Sequence, residues 1–261
     1  MQNHRPRRRF SQNFLIDRNY VDLIVRSIAP RKDDHIVEIG PGRGALTEPL
    51  LGAAGQMDAI EVDRDHVRLL EQRFSGKGLT MHCADVLAFD FRSIGDRLRI
   101  IGNLPYHIST PILFAVDAVR DLVRDCHFML QKEVVDRMGA APATPEYGRL
   151  SVMLQHRWKI APLFDVPPTV FRPQPKVWSS VVRMLPAQTV NLRNANLYRR
   201  IVDAAFSKRR KTMRNALREL VLIEDFVACD IDPGRRGETL AVADFARLAN
   251  QVSMRLNASS G

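Results

Sequence analysis

The apolar positions of the chain change rhythm twice between its two ends. Over residues 17–29, Val21, Ile24, Val25 and Ile28 recur at intervals of three and four, which predicts a helix with one buried face. A short apolar run at 36–39 then predicts a buried strand. The pattern repeats: a helix from about Ala45 through Leu50 and Leu51, a strand at 57–62, a helix at 64–74 and a strand at 79–83. Further strands are expected at 98–102 and 126–130, with a helix at 109–120 between them. Helices that intervene between successive strands predict a parallel sheet with helices on both faces, because parallel neighbours need a crossover connection. Residues 158–185 break this rhythm. Pro162, Pro167, Pro168, Pro173 and Pro175 keep the stretch extended, and 177–184 is expected to close the sheet as an antiparallel partner. From 197 to 256 the spacing is helical throughout, with no strand expected. The fold class that follows is α/β, with a domain over 1–186 and a small all-helical domain over 187–261.

A chain of 261 residues can bury a core of that size. Its 45% hydrophobic and 26% charged residues are ordinary for a globular protein. The charge balance changes the picture more. Lys and Arg number 39 against 29 Asp and Glu, a net charge of +10, which argues for a polyanionic partner and most simply nucleic acid. Lys208, Arg209, Arg210, Lys211, Arg214 and Arg218 fall together with no acid among them. Met213, Ala216, Leu217 and Leu220 are expected on the opposite face of the same basic helix, a phosphate-binding pattern. Arg5, Arg7, Arg8 and Arg9 mark a second basic segment, a flexible tail over 1–12. Cys83, Cys126 and Cys229 lie far apart with no His at metal-ligand spacing, so neither a disulfide nor a metal site is expected and a reducing, cytoplasmic setting fits. No apolar run approaches the ~20 residues that span a bilayer, so no membrane is expected.

Ligands of parallel sheets bind outside the carboxyl ends of the strands. Four candidate residues fall at those ends: Gly40, Glu61, Asp85 and Asn103. The turn Gly40-Pro41-Gly42-Arg43-Gly44 lets the backbone bend sharply and approach a ligand closely. It departs from the dinucleotide fingerprint, because Pro41 follows the first glycine and Glu38 precedes it. A helix N-terminus welcomes a carboxylate, whereas an acid beside it suits an amino group and repels a pyrophosphate. A methionine-derived cofactor carries both groups. Glu61, about 20 residues past the loop, is placed to hold two ribose hydroxyls. Asp85 is placed to accept from an adenine amine. Together these predict the Rossmann-like sheet of a class I S-adenosylmethionine-dependent methyltransferase.

Asn103-Leu104-Pro105-Tyr106 closes the fourth strand and indicates the acceptor. An exocyclic amine of adenine is a poor nucleophile because its lone pair is delocalised into the ring. Acceptors that hold its hydrogens out of that geometry restore the lone pair. The Asn103 side-chain oxygen and the Leu104 carbonyl are candidates, with Pro105 fixing the backbone and Tyr106 offering a face on which a base stacks. Hydride transfer by a nicotinamide dehydrogenase, the competing reading of the same sheet, has no use for such a pair.

Seven segments resemble one family closely: Gln12 to Leu15, Glu38 to Thr47, Asn103 to Tyr106 with Ile108-Ser109-Thr110, Met129 to Glu133, Tyr147 to Ser151, Phe171 to Val177, and Phe206 to Asn215. They are similar to the small-subunit ribosomal RNA adenine dimethyltransferases of the KsgA type. The resemblance implies transfer of two methyls to each of two adjacent adenosines in the 3′-terminal hairpin of 16S rRNA, late in assembly of the small (30S) subunit. It implies that Asn13, Leu15, Gly40, Gly42, Glu61, Asp85 and Asn103 contact S-adenosylmethionine, the product being S-adenosylhomocysteine, and that the enzyme is a monomer without a metal. Asn103, Leu104, Pro105 and Tyr106 would handle the base, with Phe171 as a second aromatic. His107 departs from the family, which commonly has Asn there. Rival readings are a large-subunit rRNA adenine methyltransferase of the antibiotic-resistance type, a non-catalytic assembly factor and a DNA adenine methyltransferase.

Overall fold

A computed structural model describes residues 13–187, 190–208 and 210–258. The basic tail expected over 1–12 lies outside the described residues. The described residues pack as two compact units, one within 1–135 and 160–186 and the other within 136–159 and 187–261.

The first unit is built around a seven-stranded sheet. Its strands are β2 (His35–Ile39), β3 (Met57–Glu61), β4 (Leu79–Cys83), β5 (Leu98–Asn103), β6 (Val123–Gln131), β7 (Trp158–Val166) and β9 (Ser179–Pro186), in the order β4-β3-β2-β5-β6-β9-β7. The first five are parallel neighbours, and β9 returns antiparallel beside β6. Chain order therefore runs outward from β2 in one direction and then resumes at β5 in the other, which places a switch point between β2 and β5. Helices α1 (Arg18–Ile28), α2 (Thr47–Ala54), α3 (Arg64–Arg73) and α4 (Ser109–Ala118) connect the strands, close to the expected bounds. Asp17 caps α1, its carboxylate accepting from the N–H groups of Asn19 and Tyr20.

A second, two-stranded sheet was not legible in the pattern. β1 (Phe14–Leu15) pairs antiparallel with β8 (Phe171–Arg172), and the Ile16 N–H donates to the Val170 carbonyl at 2.9 Å. Leu15 and Phe171, opposite each other in this ladder, are both buried in the core with Ile24, Ile28, Val166 and Val170. The start of the described chain is thereby strapped onto the Pro-rich segment.

The second unit contains α6 (Arg149–Gln155), α7 (Ala195–Ser207), α8 (Met213–Ala216), α9 (Ile223–Ala228) and α10 (Val242–Ala258). The expected division at residue 187 places α6 in the first domain; in the structure α6 packs with the C-terminal helices. The Tyr147 hydroxyl donates to the Leu240 carbonyl at 2.9 Å, and the Tyr198 hydroxyl to the Val152 carbonyl at 3.2 Å. Helix α5 (Lys132–Gly139) carries the chain from one unit to the other.

Within the first unit, the strand ends remote from the glycine turn are joined by a buried charge. Arg99 on β5 is 4% exposed. It donates to the Asp125 carboxylate on β6 at 3.0 and 3.1 Å, to Asp34 just before β2, and to the carbonyl of Ile28 at 2.7 Å. Burial opposes ionisation of Asp125, but His127 and the Arg99 guanidinium outweigh it and hold its pKa at about 2. Arg99→Met would leave Asp34 and Asp125 buried against a neutral side chain. It is expected to cost about 3–5 kcal/mol of unfolding free energy, read by denaturant titration at pH 7.

Candidate active site

The carboxyl ends of β2, β3, β4 and β5 open into one cavity of about 370 Å³, a volume suited to a nucleoside-sized ligand. Gly40, Gly42, Glu61, Asp85, Asn103, Leu104, Pro105 and Tyr106 all line it, together with Asn13 and Leu15 from the strap. The parallel register explains the convergence, since each strand ends at the same edge of the sheet.

The turn after β2 needs its glycines. Gly42 sits at φ +55°, and a Cβ there would lie 3.1 Å from the Phe14 ring. Gly44 sits at φ +82°, where a Cβ would come within 2.8 Å of Leu70. The turn is therefore wedged between the strap and α3, and a side chain at either position would crowd the Phe14 ring or Leu70 and strain a left-handed backbone. Arg43 stacks its guanidinium over the Phe14 ring at 4.7 Å, closing the other side.

Glu61 is 4% exposed, and both its oxygens accept backbone hydrogen bonds, from Gly42 at 3.2 Å and from Asp63 at 3.0 Å. These fix the carboxylate plane, while each oxygen keeps a lone pair for a further donor. Asp85 is exposed to the cavity, its Oδ1 accepting from the Leu87 N–H at 2.9 Å. Glu38 forms part of the cavity wall and is 2% exposed. The Thr47 hydroxyl donates to it at 2.6 Å, and no cation pairs with it among the described residues. Burial, together with the nearby Glu61 charge, pushes its pKa up to about 7 against the opposing Thr47 hydrogen bond. A buried acid on a cavity wall, short of a positive partner, fits a ligand that brings an ammonium group.

Three contacts hold the turn after β5, each from a different element. The Asn103 side-chain NH₂ donates to the Asn13 carbonyl of the strap at 3.1 Å. The Leu104 N–H donates to the Met129 carbonyl of β6 at 3.1 Å. The Tyr106 hydroxyl shares a 2.7 Å hydrogen bond with Ser179 at the start of β9. With its nitrogen donating to Asn13, the Asn103 amide keeps its Oδ1 as an acceptor.

Phe171 does not join this group. It was expected as a second aromatic against the base, but it is fully buried and absent from the cavity wall. Its place opposite Leu15 in the β1–β8 ladder turns the ring into the core, and its neighbour Arg172 lines the cavity instead. Phe14, Ile16, His107 and Arg172 are cavity residues that the pattern did not single out as such. Pairing across β1 and β8 brings Arg172 there, and nothing local in the sequence signals it.

In the second unit, Lys208, Arg210, Lys211, Arg214 and Arg218 are exposed, as phosphate contacts require; Arg209 lies outside the described residues. The expected continuous basic helix is not formed. Residues 208–212 lie between α7 and the single turn of α8. Thr212 instead bridges Arg236 in an antiparallel pair. The N–H groups of Met213 and Arg214 donate to the carbonyls of Arg235 at 2.7 Å and Pro233 at 3.0 Å. Backbone pairing with 233–236 therefore replaces the helical bonds that the apolar spacing predicted.

Comparison with known proteins agrees with this geometry. Residues 3–253 match the family model described as ribosomal RNA adenine dimethylase. The chain is 52% identical, over 97% of its length and all of the relative's, to a ribosomal RNA small subunit methyltransferase A of Thiobacillus denitrificans. It is 51% identical to a protein of the same name from Aromatoleum aromaticum, over 98% of this chain and 97% of the relative. Among solved structures it superimposes on a dimethyladenosine transferase from Plasmodium falciparum with a TM-score of 0.81 at 24% identity, covering 95% of this chain and 98% of that one. It superimposes on the 23S rRNA methyltransferase ErmE with a TM-score of 0.69 at 23% identity, over 92% and 100% of the two chains. These two likenesses establish the shared fold.

The raised pKa of Glu38 predicts a pH signature. Its folded-state value lies above the ordinary carboxylate range, so the protonated acid favours the fold. That advantage is complete below about pH 4.5 and is lost as pH rises through about 7. Glu38→Gln keeps an acceptor for Thr47 and removes the titration. It is expected to match the parent near pH 4.5 and to exceed it by up to about 3 kcal/mol at pH 8. Melting curves across that range check the divergence; parallel curves would count against it.

Proposed function

The chain belongs to the ribosomal RNA adenine dimethylase family, and from that premise we propose that it dimethylates two adjacent adenosines in the 3′-terminal hairpin of 16S rRNA. It is a methyltransferase, and its cofactor is S-adenosylmethionine. The substrate in this reading is the immature small ribosomal subunit late in its assembly, and the enzyme works as a cytoplasmic monomer.

When bound, S-adenosylmethionine supplies an electrophilic methyl group on a sulfonium. Gly40 and Gly42 let the turn approach it closely. Glu61 would take the ribose hydroxyls, Asp85 the adenine amine, and Glu38 the ammonium group. Asn13 and Leu15 cover the pocket from the strap. The target adenine leaves its stack and enters beside Tyr106, which holds it by its flat face. The Asn103 Oδ1 and the Leu104 carbonyl accept the amine hydrogens and localise the lone pair for attack. Positioning supplies most of the acceleration, and the departing proton passes to water. After the first transfer the amine keeps one hydrogen, so one acceptor suffices for the second. The observation that carries this reading is the Asn103 NH₂ donating to the Asn13 carbonyl, which leaves the amide oxygen available as an acceptor. Lys208, Arg210, Lys211, Arg214 and Arg218, with Arg209, bind the RNA phosphates.

Incubation with labelled S-adenosylmethionine and unmethylated small subunits, followed by mapping, is expected to place label on two neighbouring adenosines as dimethyladenine. Label on large-subunit RNA or on DNA would redirect the assignment. Asn103→Ala is expected to lower turnover about a thousandfold or more while subunit binding persists. Full activity of that variant would remove the amide from the mechanism.

The basic cluster makes a separate prediction. Affinity for the small subunit is expected to fall log-linearly with salt, and Lys211→Ala combined with Arg214→Ala to flatten the slope by about 1–2. Titrations at several salt concentrations check it, and an unchanged slope would take these two side chains off the phosphates.

A further inference from the structure

We propose that Ser179 is a positioning residue for the methyl transfer: through its hydrogen bond to the Tyr106 hydroxyl it sets the plane of the ring on which the target adenine stacks. The inference rests on the proposed base-stacking role of Tyr106.

Ser179 opens β9 and is fully buried. Its Oγ lies 2.7 Å from the Tyr106 hydroxyl. The ring itself is half-buried on the cavity wall, and burial raises its pKa despite the opposing bond from Ser179, so the hydroxyl stays protonated at neutral pH. The backbone at Tyr106 is set independently. Pro105 precedes it, the Ile108 N–H donates to the Pro105 carbonyl at 3.2 Å, and the Ser109 hydroxyl donates to the Tyr106 carbonyl at 3.1 Å. These contacts fix where the side chain starts and leave its two rotatable bonds undetermined. The hydroxyl is the atom farthest from the backbone, so a bond there constrains both torsions at once.

Ser179 is itself held rigidly. It pairs with Gln131 of β6, while two residues earlier on the same strand the Met129 carbonyl receives the Leu104 N–H. One antiparallel pair, β6 with β9, therefore fixes both an acceptor-bearing residue of the turn and the aromatic face beside it. A base stacked on Tyr106 has its exocyclic amine set relative to Asn103 and Leu104 only while the ring plane is fixed. Loss of the tether leaves the stacking face present but free to turn, which reduces the fraction of bound adenine in attacking geometry. The effect therefore falls on turnover and not on capture of the RNA.

The test is a double-mutant cycle with Ser179→Ala, Tyr106→Phe and the combined variant, assayed for methyl transfer to unmethylated small subunits with melting temperatures recorded alongside. The unmodified protein runs in the same assay, and its failure to methylate small-subunit adenine would overturn the functional reading itself. Given that activity, Ser179→Ala and Tyr106→Phe are each expected to lower kcat about tenfold with KM for the subunit nearly unchanged. The combined variant is expected to be no worse than either alone, because both delete the same bond. Effects that multiply in the combined variant, or a loss confined to KM, would overturn the proposal. If Ser179→Ala fails to fold, Tyr106→Phe alone decides, and unaltered kcat in that variant overturns it equally.

Discussion

The guanidinium of Arg99 is the interaction on which the first unit is assembled. It sits at the strand ends opposite the cavity and binds Asp34, Asp125 and the last carbonyls of α1. It thereby joins the loop before β2, strands β5 and β6 and the end of a helix at one point. A charge removed from water carries a large desolvation cost unless several partners answer it together. That requirement is a geometric one, because the partners must be present at the same time. Strands β2, β5 and β6 cannot slip in register without breaking it. Since β2 and β5 flank the switch point, the spacing of their far ends, Gly40 and Asn103, follows from a pair network at the near ends.

The site at those far ends is built on the same principle of several short ties. Asn103, Leu104 and Tyr106 are held by the strap, by β6 and by β9 respectively. Each tie uses a group that would otherwise compete with the chemistry: the amide nitrogen, a backbone N–H and a phenol hydroxyl. The Asn103 Oδ1, the Leu104 carbonyl and the Tyr106 ring are not used by these ties. A four-residue turn on its own is a flexible object, and three anchors from separate parts of the chain make it a fixed one.

These ties mark the limit of what the sequence makes legible. The five parallel strands, their connecting helices and the glycine turn are local patterns, and each is found within about three residues of its expected bounds. Gly40, Glu61, Asp85 and Asn103 were readable because a parallel sheet sends every strand end to one edge. Arg99 was not, for it stands among Leu98, Ile100 and Ile101 and reads as an interruption of an apolar run. Ser179 and Arg172 depend on pairings across more than 70 residues, Tyr106 with Ser179 and Phe14 with Arg172. Phe171 shows the converse. A two-residue strand leaves no periodicity, and alternation within it decides that Phe171 faces the core while Arg172 faces the cavity. In the second unit, an apolar spacing that fits a helix over 208–220 is overruled where Thr212 pairs with Arg236.

Charge is sorted in a way that bears on what can enter the cavity. The chain carries +10 overall, yet Glu38, Glu61 and Asp85 stand together on the cavity wall. Carboxylates in a confined space of lowered dielectric repel a phosphate far more strongly than they would in water. The carboxylates of the wall favour a ligand group bearing positive charge beside them. Arg43 and Arg172 also line the cavity. Arg43 is stacked on Phe14, whereas Arg172 is exposed, with its guanidinium folded back on its own Phe171 carbonyl at 3.0 Å. A phosphate flanking the extruded base would compete for that guanidinium on better terms than a neutral carbonyl, because both partners are charged.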